Sequence, residues 1–152
     1  MGKYKKFCIG VKGLIINSES KILLLQINLE KRKFKDPNSQ VYWDMPGGLI
    51  EESETIESTL KKEIKEKTGI DFIENAEFFH ASISNIEMPT KDGILGRALF
   101  VYKTRVKDNV QVLISDEHIK HGWFFPKEAS ELLKIKYPQD FTDKISFFAK
   151  EV

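Results

Sequence analysis

Apolar residues in this chain come in short runs cut by polar breaks. Residues 7–16 (FCIGVKGLII) and 21–27 (KILLLQI) are rich in β-branched and large aliphatic side chains, with Asn17, Ser18, Glu19 and Ser20 between them as a turn-forming cluster. This pattern predicts an opening β-hairpin. Residues 28–40 hold Lys31, Arg32, Lys33 and Lys35 and end on Asp36, Pro37 and Asn38, which predicts a long exposed basic loop. A short strand is expected at residues 42–45, closed by Pro46, Gly47 and Gly48, where glycine admits backbone turns that a side chain would obstruct.

The period then changes. Ile56, Leu60 and Ile64 recur at i, i+4 and i+8, one face of a helix that Thr55 is placed to N-cap and Gly69 to stop in a left-handed conformation. Beyond it, residues 76–86 and 96–106 predict two strands around the breaker-rich PTKDG, and residues 110–114 and 123–125 predict two more. Residues 127–135, following Pro126, and residues 140–150 predict closing helices. Strands on both sides of a mid-chain helix imply one α/β (α+β) domain over residues 1–152, its mixed sheet covered on two faces.

Composition narrows the setting. With 41% apolar and 31% charged residues in 152, the chain can bury a substantial core. Its 24 Lys plus Arg against 23 Asp plus Glu give no argument for a nucleic-acid or membrane partner. Nucleic-acid binding through the Lys31–Lys35 loop, with Phe34 as a stacking ring, is therefore not expected. Cys8 is the only cysteine, which excludes an internal disulfide and points to a reducing, cytoplasmic setting with the thiol packed as a small hydrophobe. No run approaches the ~18 apolar residues of a membrane helix, and Lys6 fails the myristoylation pattern that Gly2 opens. Oligomeric state is open, a homodimer included.

Candidate chemistry lies between the short strand and the helix. Glu63 and Glu66 are three positions apart and project to one side of the helix, so two carboxylates can converge. Carboxylate oxygens are the ligands that Mg²⁺ or Mn²⁺ prefers, and such ions commonly bridge protein carboxylates to substrate phosphates. The backbone around Gly47 and Gly48 can add a ligand or cradle a phosphate oxygen. Phosphoryl chemistry is the natural use of such a group.

Residues 43–70, from WDMPGG onward, resemble the Nudix hydrolase family. Gly48, Glu54, Glu63, Ile64, Glu66, Gly69 and Ile70 stand at the spacing of its box, G, five residues, E, seven residues, R-E-U-x-E-E-x-G-U. The resemblance implies an α/β/α sandwich with a mixed sheet and divalent-cation-dependent cleavage of a pyrophosphate bond in a nucleoside diphosphate derivative. It implies Glu63 and Glu66 as metal-binding carboxylates, the Gly47 carbonyl as a backbone ligand, Gly48 beside the substrate and Glu54 in support of the helix. Residues 115–125 (SDEHIKHGWFF) resemble the family's later stretch and make Glu117 the candidate further ligand or general base.

Two positions depart from the pattern. Lys62 replaces an arginine and keeps its charge, whereas Lys67 puts an ammonium where the family has a principal metal-binding glutamate. Three outcomes are open. The remaining carboxylates, with Glu51 or Glu52, could hold fewer or displaced ions; Lys67 could bind phosphate in place of one ion; or the domain could be a nucleotide-binding module without hydrolysis. Tyr42, Phe34, Phe79 and Trp123 are candidates to stack on a base, although rings in strands more often belong to the core.

Overall fold

The computed structural model describes residues 2–32, 39–71, 73–107 and 110–148. Alternation along its first two strands, β1 (Phe7–Ile16) and β2 (Ile22–Ile27), sets the architecture. Val11, Ile15, Leu23 and Leu25 enter one apolar cluster, while Leu14, Ile16, Ile22 and Leu24 enter another on the opposite face. A strand buried on both faces needs apolar residues at successive positions, which is why both runs look continuous.

The remaining elements are β3 (Trp43–Asp44), β4 (Gly47–Leu49), α1 (Ile56–Thr68), β5 (Glu74–Ile83), β6 (Met88–Thr90), β7 (Gly93–Arg105), β8 (His118–Phe124), α2 (Pro126–Leu132) and α3 (Gln139–Phe148). The sheet runs β3-β2-β1-β7-β5, with β4 paired to β1, β6 to β7 and β8 to β2. β1 and β7 are parallel from Phe7 opposite Gly96 to Ile16 opposite Arg105, and the other pairs are antiparallel. Leu60 and Ile64 of α1 fill one cluster; Ala129, Leu133, Tyr137, Phe141 and Ile145 fill the other. The result is the expected mixed sheet between helical layers. Among the described residues, no helix is long and apolar enough to cross a membrane.

Helix α1 is held at both ends. Thr55 Oγ1 accepts from the Ser58 amide at 3.0 Å, Ser58 Oγ accepts from the Thr55 amide at 3.0 Å, and Gly69 closes the helix at φ 77°. The helix sits low on the sheet at Gly13, where a Cβ would come within 2.7 Å of Ile64 Cδ1.

Several elements differ from expectation. The opening hairpin is short, pairing Ile16 with Ile22 and closed by the Asn17 amide donating to the Lys21 carbonyl at 3.0 Å; β1 otherwise ladders to β4 and β7, and β2 to β3 and β8. Residues 110–114 form no strand, because the Leu113 amide donates to the Thr68 carbonyl at 2.7 Å, the free end of α1, while Val110, Val112 and Ile114 pack on the α1 cluster. The Pro46–Gly47–Gly48 segment is less a free turn than the start of β4, with the Gly13 amide donating to the Pro46 carbonyl at 2.8 Å. PTKDG lies within the β6–β7 hairpin, the strand expected at 123–125 is the end of β8, and α2 stops at Leu132. Lys33, Phe34, Lys35, Asp36, Pro37, Asn38 and Lys150 lie outside the described residues.

Candidate active site

Strand β4 and helix α1 bring the box residues to one cavity of about 440 Å³. Gly47, Gly48, Glu63, Glu66, Lys67 and Glu117 all line it, as does Glu51, whereas Glu52 does not. Gly47 is required sterically by the backbone against it, whereas the space at Gly48 is taken by the Glu63 side chain. A Cβ on Gly47 would stand 2.1 Å from the Val11 carbonyl oxygen, and one on Gly48 would stand 2.4 Å from Glu63 Cδ. The bare backbone of Gly48 is the surface against which the Glu63 carboxylate rests.

Glu54, Lys62 and Gly69 lie outside the cavity and shape its helix. Glu54 Oε1 accepts from the Glu51 amide at 2.9 Å and from Thr59 Oγ1 at 3.3 Å, and its other oxygen pairs with Lys62. The Lys62 hydrogen bond lowers the Glu54 carboxyl from its ordinary range, and the same bond raises Lys62. One carboxylate thus ties the approach loop to the first turns of α1.

Lys67 stands between two of the candidate carboxylates. Its Nζ is 3.6 Å from Glu63 Oε2, one helical turn away, and it donates to Glu117 Oε2 across the cavity. Burial raises the Glu63 carboxyl, with Lys67 opposing the shift; burial would also raise Glu117, but the Lys67 hydrogen bond and charge hold it below its ordinary value. Glu66 lines the cavity and forms no ion pair among the described residues. Among those residues no group of three or more His, Cys, Asp or Glu is arranged to hold a metal ion. With the ammonium filling the space between Glu63 and Glu117, this arrangement does not fit Mg²⁺ or Mn²⁺ as the side chains stand.

A second group in the cavity was not anticipated. Asp44 is buried, its Oδ2 accepting from Lys12 Nζ at 3.0 Å and Lys136 Nζ at 2.6 Å, its Oδ1 from the Tyr137 hydroxyl at 2.6 Å and the Met45 amide at 2.8 Å. Burial alone would raise the Asp44 carboxyl, but the two ammonium groups hold it well below the carboxylate range. Burial lowers Lys12 to about 8 against the opposing pull of Asp44, and lowers Lys136 also. Arg32, Arg97 and His118 complete this side of the cavity, and Arg32 Nε, Arg97 Nε and His118 Nδ1 are buried without a hydrogen-bond partner among the described residues. Burial lowers His118 to about 4. Signals were present in Lys12 and Asp44, charges set inside apolar runs, but residue 136 joins them only through the fold.

The aromatic candidates separate. Phe79 belongs to the core beside Phe141 and Phe148, and Trp123 packs against the α1 cluster. Tyr42 lines an adjoining hollow of about 270 Å³, with the Arg32 guanidinium 5.4 Å from its ring centre.

Comparison with known proteins shows the family and the fold. The NUDIX domain profile matches residues 6–144. The chain belongs to the NUDIX family. Nudix hydrolase 8 of Arabidopsis thaliana is 37% identical over 75 residues, a segment that spans 48% of this chain and 19% of that protein's length. Two solved structures share the Nudix fold almost end to end. The MutT protein from Methanosarcina mazei Go1 superposes with a TM-score of 0.66 at 23% identity, covering 97% of this chain and 96% of that one. The E. coli dihydroneopterin triphosphate pyrophosphohydrolase gives 0.68 at 18% identity, covering 97% and 100%. In this Nudix domain residues 56–68 form α1, and Glu63, Glu66 and Lys67 from it line the cavity.

Proposed function

We propose that this Nudix domain hydrolyses a pyrophosphate bond in a nucleotide-like compound. The observation that carries the proposal is one cavity combining the α1 carboxylates with guanidinium and ammonium groups, the pairing that a polyanion undergoing attack by water requires. Arg32, Arg97 and Lys67 take up phosphate charge, Arg through its planar fork and Lys as a point charge. Glu63, set against Gly48 and facing the cavity, accepts a proton from the attacking water, and Glu117 orients Lys67. Gly47 and Gly48 keep the backbone of β4 bare on the cavity wall, where a Cβ would collide with the Val11 carbonyl or the Glu63 side chain. Nudix hydrolases generally use divalent cations. Mg²⁺ or Mn²⁺ therefore belongs in the assay, although the observed Lys67 contacts must open before Glu63, Glu66 and the Gly47 carbonyl are available to either.

The Lys67 contacts with Glu63 and Glu117 support a second reading, in which the cavity binds its ligand without turning it over. Product formation from a panel of nucleoside diphosphate derivatives, with and without Mg²⁺ or Mn²⁺, separates the two. The hydrolase predicts turnover that Glu63→Gln reduces by about 100-fold or more, the usual worth of a positioned acid-base group. No product above that variant on any compound, together with thermal stabilisation by the same compounds, establishes the binding module instead.

Gly48→Ala provides an independent check. Its methyl group displaces only the end of the Glu63 side chain, so the fold should lose less than about 1 kcal/mol. Turnover should fall nearly as far as in Glu63→Gln. Full activity in Gly48→Ala would show that the Glu63 position is immaterial to the reaction.

A further inference from the structure

The sheet carries an exposed apolar patch beside α1, away from the cavity. Helix α1 lies over β1 and β4, on the side of the sheet to which Val11 and Ile15 point. On that same side the cross-strand register sets Ile9 and Ile83 on either flank of Ala98, Ala81 beside Phe100, and Phe78 beside Tyr102. None of these positions is charged. Phe7, Ile9, Ile83 and Phe78 are 41, 40, 50 and 56% exposed, and Phe100 and Tyr102 are partly so. Together they present about 500 Å² of apolar surface, the size at which an exposed patch marks an interaction site.

The patch is flat, and the edge next to it is closed. Phe7 lies across Gly96, where a Cβ would stand 2.4 Å from its Cε1, and the Phe78 ring is braced edge-on by Tyr102 at 5.6 Å. A flat sheet face suits a second sheet face, the two inner sets of side chains interdigitating across about 10 Å. Strand addition at β5 is blocked instead: bulges break its ladder, and the Phe79 carbonyl accepts from Lys144 Nζ at 2.5 Å. Association is thereby directed through the face and not along the edge.

A second copy of this chain fits that face. A two-fold interface uses the same patch on both partners, so no other complementary surface is needed. Because the patch carries no charge, setting it against itself brings no like charges together at the centre of the contact. Two copies bury about 1,000 Å² from these side chains alone, where specific interfaces begin, which predicts a reversible dimer in place of an obligate one.

We propose that this chain self-associates through the bare face of β1, β7 and β5, two copies packing sheet on sheet about a two-fold axis. The proposal is independent of what the cavity binds or hydrolyses.

Sedimentation velocity of the full chain from about 1 to about 100 µM tests it. Wild-type protein should pass from monomer towards dimer across that range. Ile83→Glu and Phe78→Glu, at opposite ends of the patch, should each weaken association about 30-fold or more. Both side chains are half exposed, so the fold should persist, and a thermal melt checks this. Ile119→Glu, equally exposed on β8, should leave the dimer unchanged, as should Lys144→Ala, which frees the Phe79 carbonyl. A wild type that stays monomeric at the highest concentration overturns the proposal, as do folded Ile83→Glu and Phe78→Glu variants that dimerise like wild type. A dimer strengthened by Lys144→Ala and indifferent to Ile83→Glu belongs to the β5 edge and overturns it. Monomeric protein that co-sediments with vesicles of phosphatidylcholine and phosphatidylserine gives the face to a membrane and overturns it as well.

Discussion

Replacing Asp44 by Asn is expected to lower the stability of the fold by about 3–5 kcal/mol, the range for breaking a buried ion pair on one side. Asp44 is 3% exposed, and so is Lys136; removing the carboxylate charge leaves two ammonium groups buried against each other. A domain of this kind has about 5–15 kcal/mol in total, so roughly a fifth or more of its margin is at stake. With a urea dependence of about 1–3 kcal/mol per molar, the unfolding midpoint should fall by at least about 1 M. Asp44→Asn combined with Lys136→Met should recover part of the loss, because the second change removes the charge that the first leaves stranded. A loss under 1 kcal/mol, with no recovery in the double variant, would mean that water solvates this cluster freely.

Acid gives the same prediction a second signature. Burial opposes ionisation of Asp44, but Lys12 and Lys136 prevail and hold the folded group well below the ~3.9 of an unfolded aspartate. A depressed carboxyl contributes its stability in full above the unfolded value and loses it as pH falls through the acid range. The gap between wild type and Asp44→Asn should therefore be full above about pH 5 and narrow as pH drops below about 4. A gap that stayed constant down to pH 2 would assign the loss to packing instead of charge.

What could be read from the chain follows the range of the interactions involved. The helix from Thr55 to Gly69 was legible because its cap, apolar stripe and stop are all local, and the structure realises each within a few residues. The buried strands β1 and β2 were legible for the same reason. Residues 110–114 were misread because their β-rich composition says nothing of the Thr68 carbonyl, which takes the Leu113 amide from 45 positions away in sequence. At the site, helix spacing put Glu63 and Glu66 on one side, and the resemblance to the box brought in Gly48 and Lys67. Glu117 was brought in by resemblance, and its contact with Lys67 crosses 50 positions. Arg97 and Lys136 carried no local mark at all: an arginine in β7 and a lysine after α2 become cavity residues only once β7 lies parallel to β1 and α2 packs on the sheet.

Lys67→Glu is expected to turn the mouth of the cavity from a closed ion-pair cluster into a divalent-cation site. Two unit charges about 4 Å apart interact by about 4 kcal/mol at an effective permittivity near 20, so an ammonium opposes a divalent ion at that range by roughly twice as much before screening. The substitution removes that opposition and adds a carboxylate beside Glu63, Glu66 and Glu117. If only about a third of the repulsion is felt after screening, Mn²⁺ affinity rises about 100-fold, which corresponds to about 2.7 kcal/mol. Without an ion the same variant should be less stable than wild type, because Glu63 and Glu117 lose their shared counter-charge and gain a like-charged neighbour. Added Mn²⁺ should reverse the sign, raising the melting temperature of the variant far more than that of the wild type, since a ligand stabilises whichever folded state binds it. Lys67→Met separates the two causes: it removes the ammonium without supplying a ligand and should fall between the others in Mn²⁺ affinity. A variant whose melting temperature and calorimetric titration ignore Mn²⁺ would show that Lys67 does not occupy the place where these carboxylates could converge on an ion. If it binds Mn²⁺ and hydrolyses the compound panel faster than wild type, the ammonium is what restrains catalysis in this chain; if it binds Mn²⁺ and still turns nothing over, the cavity is a binding site whose chemistry fails for reasons beyond position 67.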